Sequence, residues 1–150
     1  MSKILAMKIT SVLLLSGFMM LGVAYSTVRA QQPASVLDGI YTDAQAMRGQ
    51  KVFTENCETC HGAKLMGTDS GGPPLSGDDF INGWKEMSAG ALLNKISMDM
   101  PSNAPGTLTP EQYADVMAYV LSVNKYPAGM TELPKDADAL KTVKMAAPKP

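Results

Sequence analysis

The chain has 150 residues, which is enough for one modest domain and too few for an enzyme with separate cofactor and substrate lobes. Hydrophobic residues make up 45% and charged residues 18%, with 13 basic against 14 acidic side chains, which excludes a disordered acidic chain and a polybasic nucleic-acid-binding protein. With two cysteines and one histidine, the chain can build neither a disulfide framework nor a histidine-rich metal site.

The first thirty residues have the layout of a secretory signal. Lys3 and Lys8 precede an uncharged, mostly apolar run of 17 residues at 9–25, and small and polar residues follow as far as Ala30. We therefore predict a signal peptide over residues 1–30, cleavage after Ala30 and export to the periplasm. The alternative is an uncleaved membrane anchor, because about 17 apolar residues approach the length of a membrane span. Without this segment, ten basic and fourteen acidic residues remain, a net charge of −4.

Three segments show helical periodicity. Residues 42–57, 88–97 and 109–124 each carry apolar side chains three and four positions apart. The third has the clearest start, because Thr109 and Gln112 can form a capping box around a proline at the first helical position. No segment alternates as a strand would, so the predicted class is all-α, with three to four short helices.

The segments around these helices are predicted to be irregular. Between His61 and Trp84 the chain carries six glycines and two prolines, which predicts a wrapping loop without helix or strand. Residues 31–41 form a short lead-in, and residues 127–150 are expected to be a tail on the surface or partly disordered. Three short helices bury little apolar area by themselves, so we expect a cofactor to complete the core.

Residues 57–61 read Cys-Glu-Thr-Cys-His, the C-x-x-C-H sequence of c-type haem attachment. Cys57 and Cys60 can add to the two vinyl groups of one porphyrin as thioethers, and His61 is then placed to reach the iron. The predicted cofactor is one covalent haem c with its iron. Three alternatives stay open: a redox dithiol, which usually needs strands that are not visible here; a zinc site, for which three ligands are too few; and a plain disulfide, which leaves His61 without a role.

Residues 42–126 resemble the class I cytochrome c family, and they look most similar to the small cytochromes c that accompany periplasmic quinoprotein dehydrogenases. Besides the attachment motif, Gly49 and Phe53 correspond to the N-terminal helix of the family, where a glycine lets the C-terminal helix cross closely. Ala118-Tyr119 resembles the partner position on that second helix. The resemblance implies a cytochrome c domain over 42–126, with short helices and Gly/Pro loops wrapped around one haem.

The resemblance also implies roles for two residues after the motif. The sequence Gly72-Pro73-Pro74-Leu75 is similar to the loop whose proline carbonyl accepts the N–H of the iron-binding histidine, so Pro73 is implied to orient His61. Trp84 lies where the family often directs an indole N–H towards a haem propionate. The alternative interpretation is that Pro73 is an ordinary turn proline and that Trp84 is an aromatic residue of the core.

The second axial ligand of the iron must come from outside the motif. His61 is the only histidine, which leaves a methionine, a lysine or an open position. The family places a methionine before a proline in the loop leading to the last helix, which implies Met100, with Met98 as the alternative. The other methionines of the exported chain are interpreted as core or surface residues: Met47, Met66, Met87, Met117, Met130 and Met145.

The resemblance implies a one-electron carrier rather than an enzyme, because histidine and methionine together fill both axial positions and raise the reduction potential. The implied donor is a periplasmic dehydrogenase of the quinoprotein type, and the implied acceptor is another cytochrome or a terminal oxidase. We expect a monomer with no nucleic-acid partner and, once the signal is cleaved, no membrane partner. Two alternatives stay open: a membrane-anchored cytochrome subunit of a dehydrogenase or oxidase complex, and a haem enzyme or gas sensor with a labile methionine ligand.

Overall fold

The computed structural model describes residues 32–69 and 71–148. Its regular elements are a 3₁₀ helix at Val36–Asp38, then α1 (Asp43–Asn56), α2 (Glu58–His61), α3 (Asp78–Trp84), α4 (Ala89–Asp99) and α5 (Pro110–Val123), and a 3₁₀ helix at Ala137–Leu140. Within the described residues there are two isolated β-bridges and no strand, and the predicted all-α class is confirmed. None of the helices in this part of the chain is long and apolar enough to cross a membrane. The predicted signal peptide, residues 1–30, lies outside the described residues.

The three predicted helices begin at the residues whose side chains can cap them. The hydroxyl oxygens of Thr42, Ser88 and Thr109 each accept a hydrogen bond from the backbone N–H three residues later, at 3.1–3.2 Å. Gln112 completes the capping box by accepting the Thr109 N–H at 2.9 Å. The three helix predictions are therefore confirmed, with α4 running two residues further than expected, to Asp99.

The helices α1 and α5 cross in close contact at Gly49. A Cβ atom at this position would lie 1.8 Å from the carbonyl oxygen of Asp115 and 3.0 Å from the Cβ of Tyr119. One turn further along α1, the rings of Phe53 and Tyr119 pack with their centroids 5.4 Å apart. The close crossing expected at Gly49 is confirmed, and its tightest contact is with the α5 backbone one turn before the predicted partner position.

A helix occupies part of the segment that was expected to be a loop. Residues Asp78–Trp84 form α3, whose first turn carries Asp78 and Asp79, where negative charge favours the N-terminus of a helix. Within α3, the side chain of Phe80 is buried in the core. Five of the six glycines precede the helix and only Gly83 lies within it. The prediction of a loop over the whole segment was therefore wrong for its last seven residues, because the glycines that indicated a loop lie before them.

The last part of the chain belongs to the core. Four of its side chains are at most 3% exposed: Leu133, Leu140, Val143 and Met145. Backbone hydrogen bonds of 2.8–3.0 Å join residues 143–145 to residues 34–36 on one side and to residues 87–89 on the other. The expectation of a surface or partly disordered tail is therefore wrong for residues 133–145, because they fill apolar space beside α4. The lead-in is buried as well, at Val36, Ile40 and Tyr41.

Candidate haem site

The two cysteines lie at the junction of α1 and α2. Cys57 is the C-cap of α1, where its backbone N–H donates to the carbonyl of Phe53 at 2.8 Å. The same residue is the N-cap of α2. Cys57 is half-buried, Cys60 is exposed, and both are free. Burial, with a smaller contribution from Cys60, raises the pKa of the Cys57 thiol to about 11. Redox dithiols need a lowered thiol pKa, so this environment disfavours the dithiol alternative.

His61 is the last residue of α2, and its imidazole is buried, with 6% exposed. Its Nδ1 atom lies 2.8 Å from the carbonyl oxygen of Pro73. Because a carbonyl can only accept, Nδ1 carries the proton and donates it, and Nε2 keeps a lone pair. The ring lies directly against Gly72, where a Cβ atom would come within 2.4 Å of Cε1. The proline carbonyl and the glycine therefore determine both the tautomer and the orientation of the imidazole.

The loop that carries Pro73 is held against α2 and α5. The Gly72 N–H donates to the carbonyl of Cys60 at 2.9 Å, next to the attachment motif. At the end of α5, the amide side chain of Asn124 donates to the carbonyl of Leu75 at 2.8 Å and accepts the Gly77 N–H at 3.0 Å. Asn124 was missed as a site residue because its contacts are with residues nearly fifty positions away in the chain.

Met100 occupies a position that no other methionine of the described residues shares. It follows the last residue of α4, is half-buried, and its N–H donates to the carbonyl of Ile96 at 3.1 Å. Met98 is 65% exposed. Of the other methionines, two are completely buried and four are exposed: Met117 and Met145 are buried, and Met47, Met66, Met87 and Met130 are exposed.

Trp84 lies at the end of α3 and is half-buried. Its ring packs against Phe80, with the centroids 6.4 Å apart and the planes tilted by 42°. The half-buried indole therefore packs against the edge of the apolar core. The expected contact of its N–H with a haem propionate stays a prediction.

Apolar side chains of α1, α3, α4, α5 and the loop after Pro73 form one continuous cluster. Most of them are buried and two are partly buried against the rest: Phe53, Phe80, Leu92, Leu93, Val116 and Val120 are buried, and Leu75 and Ile96 are partly buried. Met117 is buried in the same cluster, as expected for a packing residue. A porphyrin is a large apolar ring, so it requires surroundings of this kind.

The groups available at α2 match the chemistry of haem c. Two free thiols, spaced for two vinyl groups, precede an imidazole whose Nε2 forms no hydrogen bond within residues 32–69 and 71–148. In that same part of the chain, no three His, Cys, Asp or Glu side chains are grouped to hold a metal ion by themselves. The residues therefore fit a covalently attached haem that binds through one neutral histidine nitrogen.

Residues 44–120 match the family described as cytochrome c oxidase, cbb3-type, subunit III. The chain belongs to this family of c-type cytochromes. Its cofactor is haem c with iron, and the domain transfers electrons. The predicted relationship to class I cytochromes c and the predicted cofactor are confirmed.

Two relatives and one solved structure show how far this cytochrome's similarity extends. It is 36% identical over 102 residues to the cbb3-type cytochrome c oxidase subunit CcoP of Rubrivivax gelatinosus, which covers 64% of this chain and 31% of the relative. It is 32% identical over 111 residues to cytochrome c1 of Rhodobacter capsulatus, and this alignment covers 68% of this chain and 38% of the relative. The chain thus spans about a third of the length of these relatives. The sulfane dehydrogenase SoxCD from Paracoccus pantotrophus aligns with a TM-score of 0.44 and 21% identity, over 60% of this chain and 52% of that one.

Proposed function

We propose that this chain is an exported monohaem cytochrome c that carries single electrons between proteins, with Cys57 and Cys60 attaching the haem and with His61 and Met100 as axial ligands. The observation that carries the proposal is the buried imidazole of His61, whose Nδ1 is bonded to the Pro73 carbonyl 2.8 Å away. The single C-x-x-C-H sequence in 150 residues supports one haem.

The residues around His61 prepare one nitrogen for the iron. The Pro73 carbonyl holds the proton on Nδ1, which makes Nε2 a better electron donor, and Gly72 leaves room for the ring to lie flat. Bound haem supplies a one-electron redox couple, and histidine–methionine ligation raises its potential. The apolar cluster around Phe53 and Leu93 is closed to solvent, so a haem bound against it would meet little water to reorganise when its charge changes.

The choice of Met100 as the second ligand rests on how far each methionine side chain is buried. A ligand side chain must be withdrawn from solvent yet not already enclosed by protein on all sides, and Met100 meets both conditions. Met98 is largely exposed on α4, and the fully buried Met117 and Met145 have their sulfur atoms within the apolar core. The soft thioether of Met100 is therefore the proposed second ligand.

Replacing the proposed ligand tests this assignment. Met100→Ala should abolish the far-red charge-transfer band of the oxidised protein, because that band requires a sulfur atom bound to the iron. It should also lower the reduction potential by about 0.1 V or more, since axial ligands set haem potentials over a span of about 0.8 V. Absorption spectroscopy and potentiometric titration of the purified holoprotein measure both effects.

Met98→Ala is the matched control, because it removes the same side chain two residues away on the exposed face of α4. It should change neither the band nor the potential. The reverse pattern would reassign the ligand to Met98, and a normal band in both variants would exclude both. Rapid binding of carbon monoxide by the reduced wild-type protein at neutral pH would favour the haem enzyme or gas sensor instead of the carrier.

The proposed partners are other redox proteins. The donor is proposed to be a periplasmic dehydrogenase of the quinoprotein type, and the acceptor another cytochrome or a terminal oxidase. Cys60 is exposed, so the attachment motif reaches the surface where a partner can approach. The net charge of −4 on residues 31–150 favours a partner that presents basic residues, with association that slows as salt is added.

A second candidate is a cytochrome domain fixed to a membrane complex, which the names of the relatives favour, since one is a subunit of an oxidase. The free and fixed forms differ in their first residue. For the free carrier, the intact mass of the protein purified from a host that attaches haem should equal residues 31–150 plus one haem, with Gln31 at the amino terminus. Retention of residues 1–30 in the membrane fraction would support the fixed form.

A further inference from the structure

The hydroxyl group of Tyr113 joins both ends of the loop that contains Met100. Tyr113 lies in the first turns of α5 and is 5% exposed. Its hydroxyl donates a hydrogen bond to the carbonyl oxygen of Met100 at 2.9 Å and accepts one from the N–H of Leu108 at 3.4 Å. One oxygen atom therefore connects the end of α4 with the residue just before the α5 cap.

The loop between these two ends has few other attachments. Its interior hydrogen bonds are local: the Ala104 N–H donates to Pro101 at 2.8 Å, and the Thr107 hydroxyl donates to Ala104 at 2.8 Å. Five of its residues are exposed: Ser102, Asn103, Pro105, Gly106 and Thr107. A loop of this kind has little packing to hold its first residue in one place. Apart from the hydrogen bond of its own N–H to the Ile96 carbonyl, the Met100 backbone is therefore held chiefly by the bond from Tyr113 to its carbonyl oxygen.

Tyr113 is itself attached to a rigid element. The capping box of Thr109 and Gln112 stabilises the first turn of α5, which directly precedes the tyrosine. The buried ring then fixes the direction in which the hydroxyl points, because a tyrosine has only two side-chain torsions. The helix thus provides a hydrogen-bond donor to which the Met100 end of the loop is bonded.

We propose that Tyr113 is a positioning residue that holds Met100 in the place from which its sulfur reaches the iron. This inference rests on the proposed ligation by Met100. Removing the hydroxyl leaves the Met100 carbonyl and the Leu108 N–H without this partner and frees the loop to move away. The equilibrium between iron-bound and detached Met100 should then shift towards the detached form by about two- to tenfold, the value of one ordinary hydrogen bond.

Imidazole competes with a methionine ligand for the oxidised iron, so its apparent affinity measures how firmly Met100 is held. Tyr113→Phe keeps the buried ring and removes only the hydroxyl. The imidazole Kd of the oxidised holoprotein should fall by about two- to tenfold in this variant. The far-red band should remain visible in the absence of imidazole, and it should disappear at a lower temperature than in the wild-type protein.

Tyr119→Phe is the matched control, because Tyr119 lies on the same helix and its hydroxyl forms no hydrogen bond within the described residues. Its imidazole Kd should equal that of the wild-type protein, even if its global stability changes. An unchanged Kd in Tyr113→Phe, or an equal change in both variants, would overturn the positioning role. A failure of the underlying ligation would look different: the far-red band would be missing from the wild-type protein or would persist in Met100→Ala.

Tyr113→Phe could also reduce the yield of folded holoprotein, and Leu108 then supplies the second measurement. In wild-type protein the Leu108 amide should exchange with solvent more slowly than the amide of Thr107, which has no such acceptor within the described residues. Addition of saturating imidazole detaches Met100 and should speed the exchange of Leu108. Exchange at Leu108 that is as fast as at Thr107, or that does not respond to imidazole, would contradict the proposal.

Discussion

Gly49→Ala should lower the free energy of unfolding of the holoprotein by about 3 kcal/mol or more, at the upper end of the range for overpacking. The new Cβ atom would lie 1.8 Å from the carbonyl oxygen of Asp115 and 2.4 Å from its carbonyl carbon. These are backbone atoms in the middle of α5, so no rotation of a flexible side chain can relieve the overlap. The two helices would have to separate along their whole crossing.

Separation of α1 from α5 would also weaken the contacts on either side of Gly49. Arg48 forms two hydrogen bonds of 2.9 Å with the carboxylate of Asp115 and one of 2.9 Å with Glu132. These hydrogen bonds raise the pKa of the Arg48 guanidinium above its ordinary value. On the other side, the packing of Phe53 on Tyr119 depends on the same helix separation. The cost of one methyl group is therefore spread over several contacts.

Gly83→Ala is the matched control for Gly49→Ala. Gly83 lies within α3, and a Cβ atom there would meet nothing within 4 Å. Because glycine in a helix is less favourable than alanine by roughly 0.5–1 kcal/mol, this variant should unfold at a slightly higher urea concentration than the wild-type protein. Urea unfolding followed by circular dichroism measures both variants. Equal midpoints for Gly49→Ala and the wild-type protein would show that the helices do not approach as closely as described.

Met145→Ala should destabilise the holoprotein by about 2–5 kcal/mol, the usual cost of truncating a buried methionine. Met145 is completely buried, although it lies only five residues before Pro150. Its N–H donates to the carbonyl of Met87 at 3.0 Å, and the neighbouring Val143 carbonyl accepts the N–H of Ala89 at 2.8 Å. The side chain thus fills space between the end of the chain and the start of α4, which the surrounding backbone cannot close without breaking these bonds.

Met130→Ala provides the comparison, because Met130 belongs to the same part of the chain and is 98% exposed. Its substitution should change the free energy of unfolding by no more than about 0.5 kcal/mol. Both variants are compared by urea unfolding of the haem-containing protein. Should the two substitutions have equal small effects, residues 133–145 would not be part of the core in solution.

The features that could be predicted from the sequence are those that depend on neighbouring residues. The cap of α5 could be predicted because the Thr109 side chain satisfies a backbone N–H only three residues away, whereas the caps of α1 and α4 at Thr42 and Ser88 became visible only in the structure. The haem motif was recognised for the same reason, since two thiols and an imidazole within five residues already form most of the attachment chemistry. The helix α3 was missed because glycine content was averaged over a segment whose last seven residues differ from the rest.

The amino-acid sequence by itself determined the helical class and the three main helices, and it contains the C-x-x-C-H motif that is proposed to attach the haem. The tertiary structure alone decided which distant groups contact one another. Asn124 is hydrogen-bonded to the loop that carries Pro73, Tyr113 is hydrogen-bonded to Met100, and residues 133–145 pack beside α4. The physical reason is the range of the interactions. Capping and motif spacing act over a few residues, whereas burial and these hydrogen bonds join groups that meet only when the whole chain has folded.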